Sequence, residues 1–204
     1  MARPPASLRA LAVARGDEPA DILLKGGRVL SPVTREWVLT DLAIADGVIA
    51  GWGHREAKEV IDVTGCWLTP GFVDAHMHLE SSKMWVSEYV RAVLPMGTTA
   101  VAADPHEIAN VAGVEGIAAL IESAEKLPFT FGVAASSCVP ESPFASAGAA
   151  FGTDDVRRLI EEFGAIGVAE VMNYPAVING DPMFRDIIAT AGWRRVDEIG
   201  RAHV

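Results

Sequence analysis

Beyond Pro70 the sequence alternates short apolar runs with amphipathic stretches four times, and this alternation restricts the chain to a fold built on parallel strands. GFVDAHMHL reads as a buried strand, followed by a helix over Ser82–Met96. TTAVAADPH is the next strand, and Val114–Lys126 the next helix. FTFGVAASSCV is the third strand, then a helix over Asp154–Phe163 with Thr153 as its N-cap, and AIGVAEVMNY is the fourth strand. The runs are nearly continuously apolar, as strands covered on both faces are. Polar groups gather at their C-terminal ends: Asp74, His76 and His78; Asp104, His106 and Glu107; Ser136 and Ser137; Glu170 and Asn173. In a parallel barrel that edge carries the active site, and a complete eight-unit barrel needs ~250 residues. Residues 70–204 supply about half of that. The expected fold is therefore α/β, the first four βα units of a TIM-type barrel preceded by a small β-rich domain.

The preceding domain, residues 1–69, has a different texture. Ser7–Arg15 carries Leu and Val at helical spacing and ends at Gly16-Asp17, which predicts a short helix. From Ala20 to Thr69 the chain is a series of short β-rich runs cut by Gly-Gly, Asp-Gly and Gly-Trp-Gly, a sandwich-like pattern in which Asp46-Gly47 signals a hairpin. The formal charge of −10 opposes a nucleic-acid surface, which needs clustered Lys and Arg. No run offers the ~18 apolar residues of a membrane span, and Met1–Ala20 lacks the unbroken apolar stretch of a signal peptide. Cys66 and Cys138 form no CxxC pair, so neither a disulfide framework nor a cysteine-based zinc site is expected. A reduced, cytoplasmic setting fits these features.

His76-Met77-His78 is the strongest chemical signal. Residues i and i+2 of a strand point the same way, so both imidazoles face one space, where a carboxylate such as Glu170 from another strand could complete a site for a divalent first-row ion. Glu170 lies in a run otherwise made of Gly, Val, Ala and Met, and a carboxylate there needs a cation, a metal or an arginine. Asp104-Pro105-His106-Glu107 ends the second strand at the same edge. An Asp-Pro turn with a helix N-cap would also explain Asp104, and turn chemistry would explain Asn173 as well as a pocket shared with Tyr174. No phosphate-binding glycine loop and no G-x-S-x-G nucleophile elbow occur.

PGFVDAHMHLESS, GTTAVAADPHEIANVAGVEGI and VAEVMNYPAVINGD closely resemble the corresponding blocks of bacterial and archaeal adenine deaminases, a family of the amidohydrolase superfamily, and ADILLKGGRVL…DLAIADGVIAGWG looks like that family's N-terminal β-domain. The likeness covers residues 5–190. It implies hydrolysis of a carbon–nitrogen bond of a cyclic amidine, adenine to hypoxanthine and ammonia, by metal-activated water attacking C6 in purine salvage. It implies a two-metal site, with manganese or iron the usual ions and zinc an alternative, and a homo-oligomer at full length. Carried over, His76 and His78 hold the first metal, Glu170 stands where many superfamily members have a carboxylated lysine, and Asp104 and His106 match the DPHE motif beside it, which makes Glu170, His106 and Asp104 the candidate catalytic groups. The family also draws ligands and an Asp from later strands. Here the likeness stops near residue 191, after which Glu198 to Val204 diverge, as a truncated or shifted reading frame would; His203 is not expected to be a ligand. Another cyclic amidohydrolase (dihydroorotase, imidazolonepropionase or deacetylase type) and a non-catalytic half-barrel are the alternatives.

Overall fold

A computed structural model describes residues 7–140, 142 and 144–198. The chain divides into two compact units, Met1–Pro70 and Gly71–Val204. His203 and the end of the divergent tail lie outside the described residues.

The first unit begins with helix α1 (Leu8–Arg15), which Ser7 caps by accepting the Ala10 N–H and which Gly16 closes in the left-handed conformation. One sheet follows. Strand β1 (Ala20–Leu30) lies at its centre, antiparallel to β2 (Trp37–Ala45) and parallel to β4 (Ala57–Asp62) and β5 (Trp67–Leu68), while β3 (Val48–Trp52) pairs with β2 at the edge. Asp46 and Gly47, both at positive φ, turn the β2–β3 hairpin, as the Asp-Gly signal predicts. The centre strand bulges between Leu24 and Gly27. There Gly26, at φ +77°, gives its N–H to Asp41 Oδ1 at 2.8 Å. Ala10 and Val13 of α1 share a small core with Ala20, Leu23, Ala43 and Ala45.

Arg9 fastens α1 to the sheet. Its Nη1 lies 2.8 Å from both Asp21 and Asp46, and Lys58 Nζ reaches Asp21 at 2.9 Å. The Arg9 guanidinium, followed by Lys58 and the Asp46 N–H, holds the Asp21 carboxyl well below the usual carboxylate range.

The second unit is α/β. Strands β6 (Phe72–Met77), β7 (Thr98–Ala103) and β8 (Thr130–Val133) form a parallel sheet in that order. The two-residue β9 (Gly167–Val168) joins it through a single parallel bridge from Val168 to Ala135, and β10 (Arg195–Val196) runs parallel to β9. Between them come α2 (Val86–Val93), α3 (His106–Ala124), α4 (Thr153–Glu161), α5 (Tyr174–Ile178) and α6 (Pro182–Thr190). Val101, Val133 and Val168 of the strands pack with Ile117, Leu120, Leu159 and Ile187 of the helices in one core. Among the described residues no helix is long and apolar enough to cross a membrane.

Several boundaries differ from the sequence expectation. The helix expected over Ser82–Met96 is α2 alone, flanked by 3-10 turns at Leu79–Ser82 and Leu94–Met96, the second of which contains Pro95. Helix α3 begins at His106 rather than Val114: two helical segments meet at Gly113, whose φ of +64° and ψ of −152° leave the helical region. Gly152, not Thr153, is the N-cap of α4, with Asp155 accepting the Gly152 N–H at 2.9 Å. The third and fourth strands are far shorter than their apolar runs; in the fourth, the Glu170 N–H and carbonyl are bonded by the side chains of Asp104 and Ser137 rather than by a neighbouring strand. Strand β6 is not buried on both faces: Phe72 and Val73 are 61% and 65% exposed, since only β7 pairs with it.

The Arg9 anchor gives a pH-dependent expectation. Asp21→Asn should lower the melting temperature at pH 7. A depressed carboxyl contributes fully above its unfolded value of about 3.9 and loses that contribution as pH falls toward the folded value. The gap between variant and parent, followed by thermal unfolding, should therefore narrow steadily below pH 4. A gap unchanged down to pH 2 would show that the charge of Asp21 is not its source.

Candidate metal centre

The C-terminal ends of the parallel strands bring every candidate residue to one edge. His76 is in β6 and His78 one residue past it, Asp104 follows β7, His106 and Glu107 open α3, Ser136 and Ser137 lie beyond β8, and Glu170 follows β9 by two residues. His76 Nε2 lies 3.3 Å from His78 Nε2, and Glu170 Oε2 is 3.5 Å from the first and 3.4 Å from the second. These three atoms form a nearly equilateral triangle. A tetrahedral ion with ligands at ~2.1 Å spaces neighbouring ligand atoms ~3.4 Å apart, so the triangle has the edge length of three corners of such a shell.

The tautomer agrees with this use. His78 Nδ1 is 2.8 Å from the Asp104 carbonyl oxygen, which can only accept, so Nδ1 carries the hydrogen. In the neutral ring Nε2 then presents a lone pair to the triangle, the arrangement by which a backbone carbonyl orients a metal-binding imidazole. Asp104 joins His76, His78 and Glu170 as a group whose donor atoms lie within 4.8 Å of one another, and His78, His106 and Glu107 form a second such group.

Asp104 has several partners at once. Its side chain is 3% exposed, Oδ2 accepts the Glu170 backbone N–H at 3.2 Å, and Oδ1 faces His106 Nδ1 at 3.4 Å. That last approach has ion-pair spacing but not hydrogen-bond alignment, and neither atom has a hydrogen-bond partner among the described residues. The Asp104 carboxylate is still the main cause that raises the His106 pKa above the ordinary histidine value. Glu107 and Glu170 add to the effect and burial opposes it. On the other side, Ser137 Oγ donates to the Glu170 carbonyl oxygen at 2.6 Å. The Glu170 backbone is thus held from both directions. Asn173 accepts the Ala176 N–H as the N-cap of α5, the turn role that sequence also allowed, and it lines a cavity of about 350 Å³ with Ser137, Phe151 and Phe184.

Sequence reasoning did not assign Glu80. It lies on the 3-10 turn just after His78, its Oε1 accepts the Ile108 N–H at 2.9 Å, and burial raises its pKa. The available signal was the Glu-Ser-Ser that directly follows the histidine pair.

A strand-borne histidine pair and a carboxylate from a separate strand of the same parallel edge make a donor set that suits a divalent metal ion. Residues 67–195 match the model of the Amidohydrolase family, and the chain belongs to that family. Its relatives include an adenine deaminase from Archaeoglobus fulgidus, 42% identical over 184 residues that cover 90% of this chain and 33% of that protein. Another is an adenine deaminase from Methanothrix thermoacetophila, 45% identical over 171 residues, 84% of this chain and 30% of that protein. The chain spans about a third of the length of the curated relatives it matches. Among solved structures, it is similar in fold to N-acyl-D-glutamate deacylase from Bordetella bronchiseptica complexed with zinc and a phosphonate inhibitor (TM-score 0.59, 19% identity, covering 85% of this chain and 43% of that one). It is also similar to atrazine chlorohydrolase from Arthrobacter aurescens complexed with zinc (TM-score 0.53, 21% identity, 74% and 47%).

If Asp104 organises the centre, Asp104→Ala should do two things. It leaves the buried Glu170 N–H without an acceptor, which typically costs about 1–3 kcal/mol, and it loosens the shell around the ligands, which typically costs 10–100-fold in metal affinity. Denaturant unfolding and a zinc titration monitored by a competing chelator would measure these. Unchanged zinc affinity would remove Asp104 from the centre.

Proposed function

We propose that this chain carries the front ligand set of a hydrolytic adenine deaminase, working in the cytoplasm on free adenine with a pair of manganese or iron ions. The observation that carries the reading is the triangle of His76 Nε2, His78 Nε2 and Glu170 Oε2, in a chain 42% and 45% identical to relatives named adenine deaminase. In this reading the second unit is the first half of a TIM-type barrel, residues 1–69 are a separate β-domain, and further ligands, along with the homo-oligomeric contacts, belong to the rest of the whole protein.

When bound, the metal supplies the Lewis acidity that makes water a nucleophile at neutral pH. The residues of this chain do the rest. His76 and His78 would hold it through Nε2, with His78 oriented by the Asp104 carbonyl. Glu170 Oε2 faces both imidazoles and would be the third ligand, which leaves the other oxygen of its carboxylate to take the proton that water loses. The overall change is addition of water at C6, cleavage of the C6–N bond, and release of ammonia and hypoxanthine. The departing nitrogen needs a proton. His106, kept protonated to higher pH than an ordinary histidine by Asp104, is the group suited to give it.

The test uses the whole protein that contains this segment, loaded with manganese or iron(II), and measures ammonia and hypoxanthine formed from adenine. His76→Ala should abolish turnover together with metal retention. His106→Ala should retain metal but lose on the order of 10²–10⁴-fold in kcat, the usual contribution of a proton-transfer group. Hydrolysis of dihydroorotate or an N-acyl amino acid without any turnover of adenine would transfer the chain to another amidohydrolase activity.

A further inference from the structure

Helix α3 starts without a cap of its own. The residue before it is Pro105, which makes no side-chain capping bond. Asp104, the residue that an Asp-Pro-His-Glu sequence would normally use as a cap, has turned its carboxylate away, with Oδ2 on the Glu170 N–H and Oδ1 toward His106. The first-turn N–H groups of a helix still need acceptors. Ile108, the third residue of α3, gives its N–H to Glu80 Oε1 at 2.9 Å, the bond that an N-cap side chain ordinarily makes, here supplied from 28 residues away.

The turn carrying Glu80 is itself fixed. Leu79 is 1% exposed, Ser82 Oγ donates to the Leu79 carbonyl at 2.6 Å and accepts the Met84 N–H at 3.2 Å, and Lys83 closes the turn in the left-handed conformation. This short rigid turn starts directly at His78. The other Glu80 oxygen is buried with no hydrogen-bond partner among the described residues, so the side chain is committed to the helix end rather than to solvent.

We propose that Glu80 is a positioning residue: as a remote cap of α3 it takes over the capping role of Asp104, which frees Asp104 for the metal centre and sets His106 and Glu107 in register with His78. The Glu-Ser-Ser segment after the histidine pair thus couples the β6 end to the β7 end. His78 and Glu80, two residues apart, reach the Asp104 carbonyl and the Ile108 N–H respectively, and between them they clamp residues 104–108. The proposal rests on the metal-centre reading but does not need the substrate to be adenine.

The experiment compares Glu80→Gln and Glu80→Ala in the whole protein with the parent. Three readouts are taken: hydrogen exchange of the amides of residues 106–112, manganese affinity without substrate, and kcat and KM for adenine. Glutamine keeps an acceptor oxygen, so Glu80→Gln should keep slow exchange and stay within a few-fold of the parent in affinity and kcat. Glu80→Ala should speed exchange in the first turn of α3 and lose 10–100-fold in manganese affinity or kcat, as removed outer-shell partners do, with a smaller change in KM. Parent-like exchange and affinity in Glu80→Ala would overturn the proposal. So would a Glu80→Gln variant as impaired as the alanine one, since charge rather than the hydrogen bond would then be what matters. If the parent fails to deaminate adenine, the substrate reading falls, while exchange and manganese affinity still decide the role of Glu80.

Discussion

Asp104 is the point through which the site is tied together. Its carbonyl oxygen orients His78 from β6, one carboxylate oxygen holds the backbone of Glu170 after β9, and the other faces His106 of α3. In a sheet only neighbouring strands exchange backbone hydrogen bonds, so β6 and β9, separated by β7 and β8, have no ladder in common. A side chain must bridge them at the strand ends if ligands from both are to converge. Asp104, just past the end of β7, is short enough to be rigid and has enough acceptor sites to serve both sides.

This explains which parts of the site could be read from sequence. The histidine pair was legible because a strand's two-residue period puts His76 and His78 on one side whatever surrounds them. Glu170 was legible because a carboxylate in an apolar run demands a cation. The hairpin at Asp46-Gly47 was legible for the same local reason, since its positive φ angles suit those residue types. Each of these depends on a rule that operates within a few residues.

What the sequence concealed is tertiary. Asp104 and Pro105 contain every local mark of an N-cap, yet the cap of α3 comes from Glu80, and no pattern near residue 104 reports that its carboxylate is engaged by a residue 66 positions on. The shortness of the fourth strand has a tertiary side as well. Apolar runs suggest strands ten residues long, but the ladder ends where carbonyls and N–H groups meet side chains: the Glu170 N–H at Asp104 and the Glu170 carbonyl at Ser137.

The charge arrangement leads to the same conclusion by a separate route. Glu80, Asp104, Glu107 and Glu170 crowd one edge, and the ion-pair partners of Asp104, Glu107 and Glu170 among the described residues are all histidines. Desolvating several carboxylates together is unfavourable unless positive charge compensates. Protonating the imidazoles would provide it, but His76 and His78 cannot both be fully protonated at Nε2 when those atoms are 3.3 Å apart without two N–H groups pointing at each other. A divalent ion would remove the conflict, since His76 Nε2, His78 Nε2 and Glu170 could all be its ligands. The constellation is consistent as a set of ligands and strained as a set of ion pairs, which is why metal binding rather than a salt-bridge network is the reading that the side chains favour.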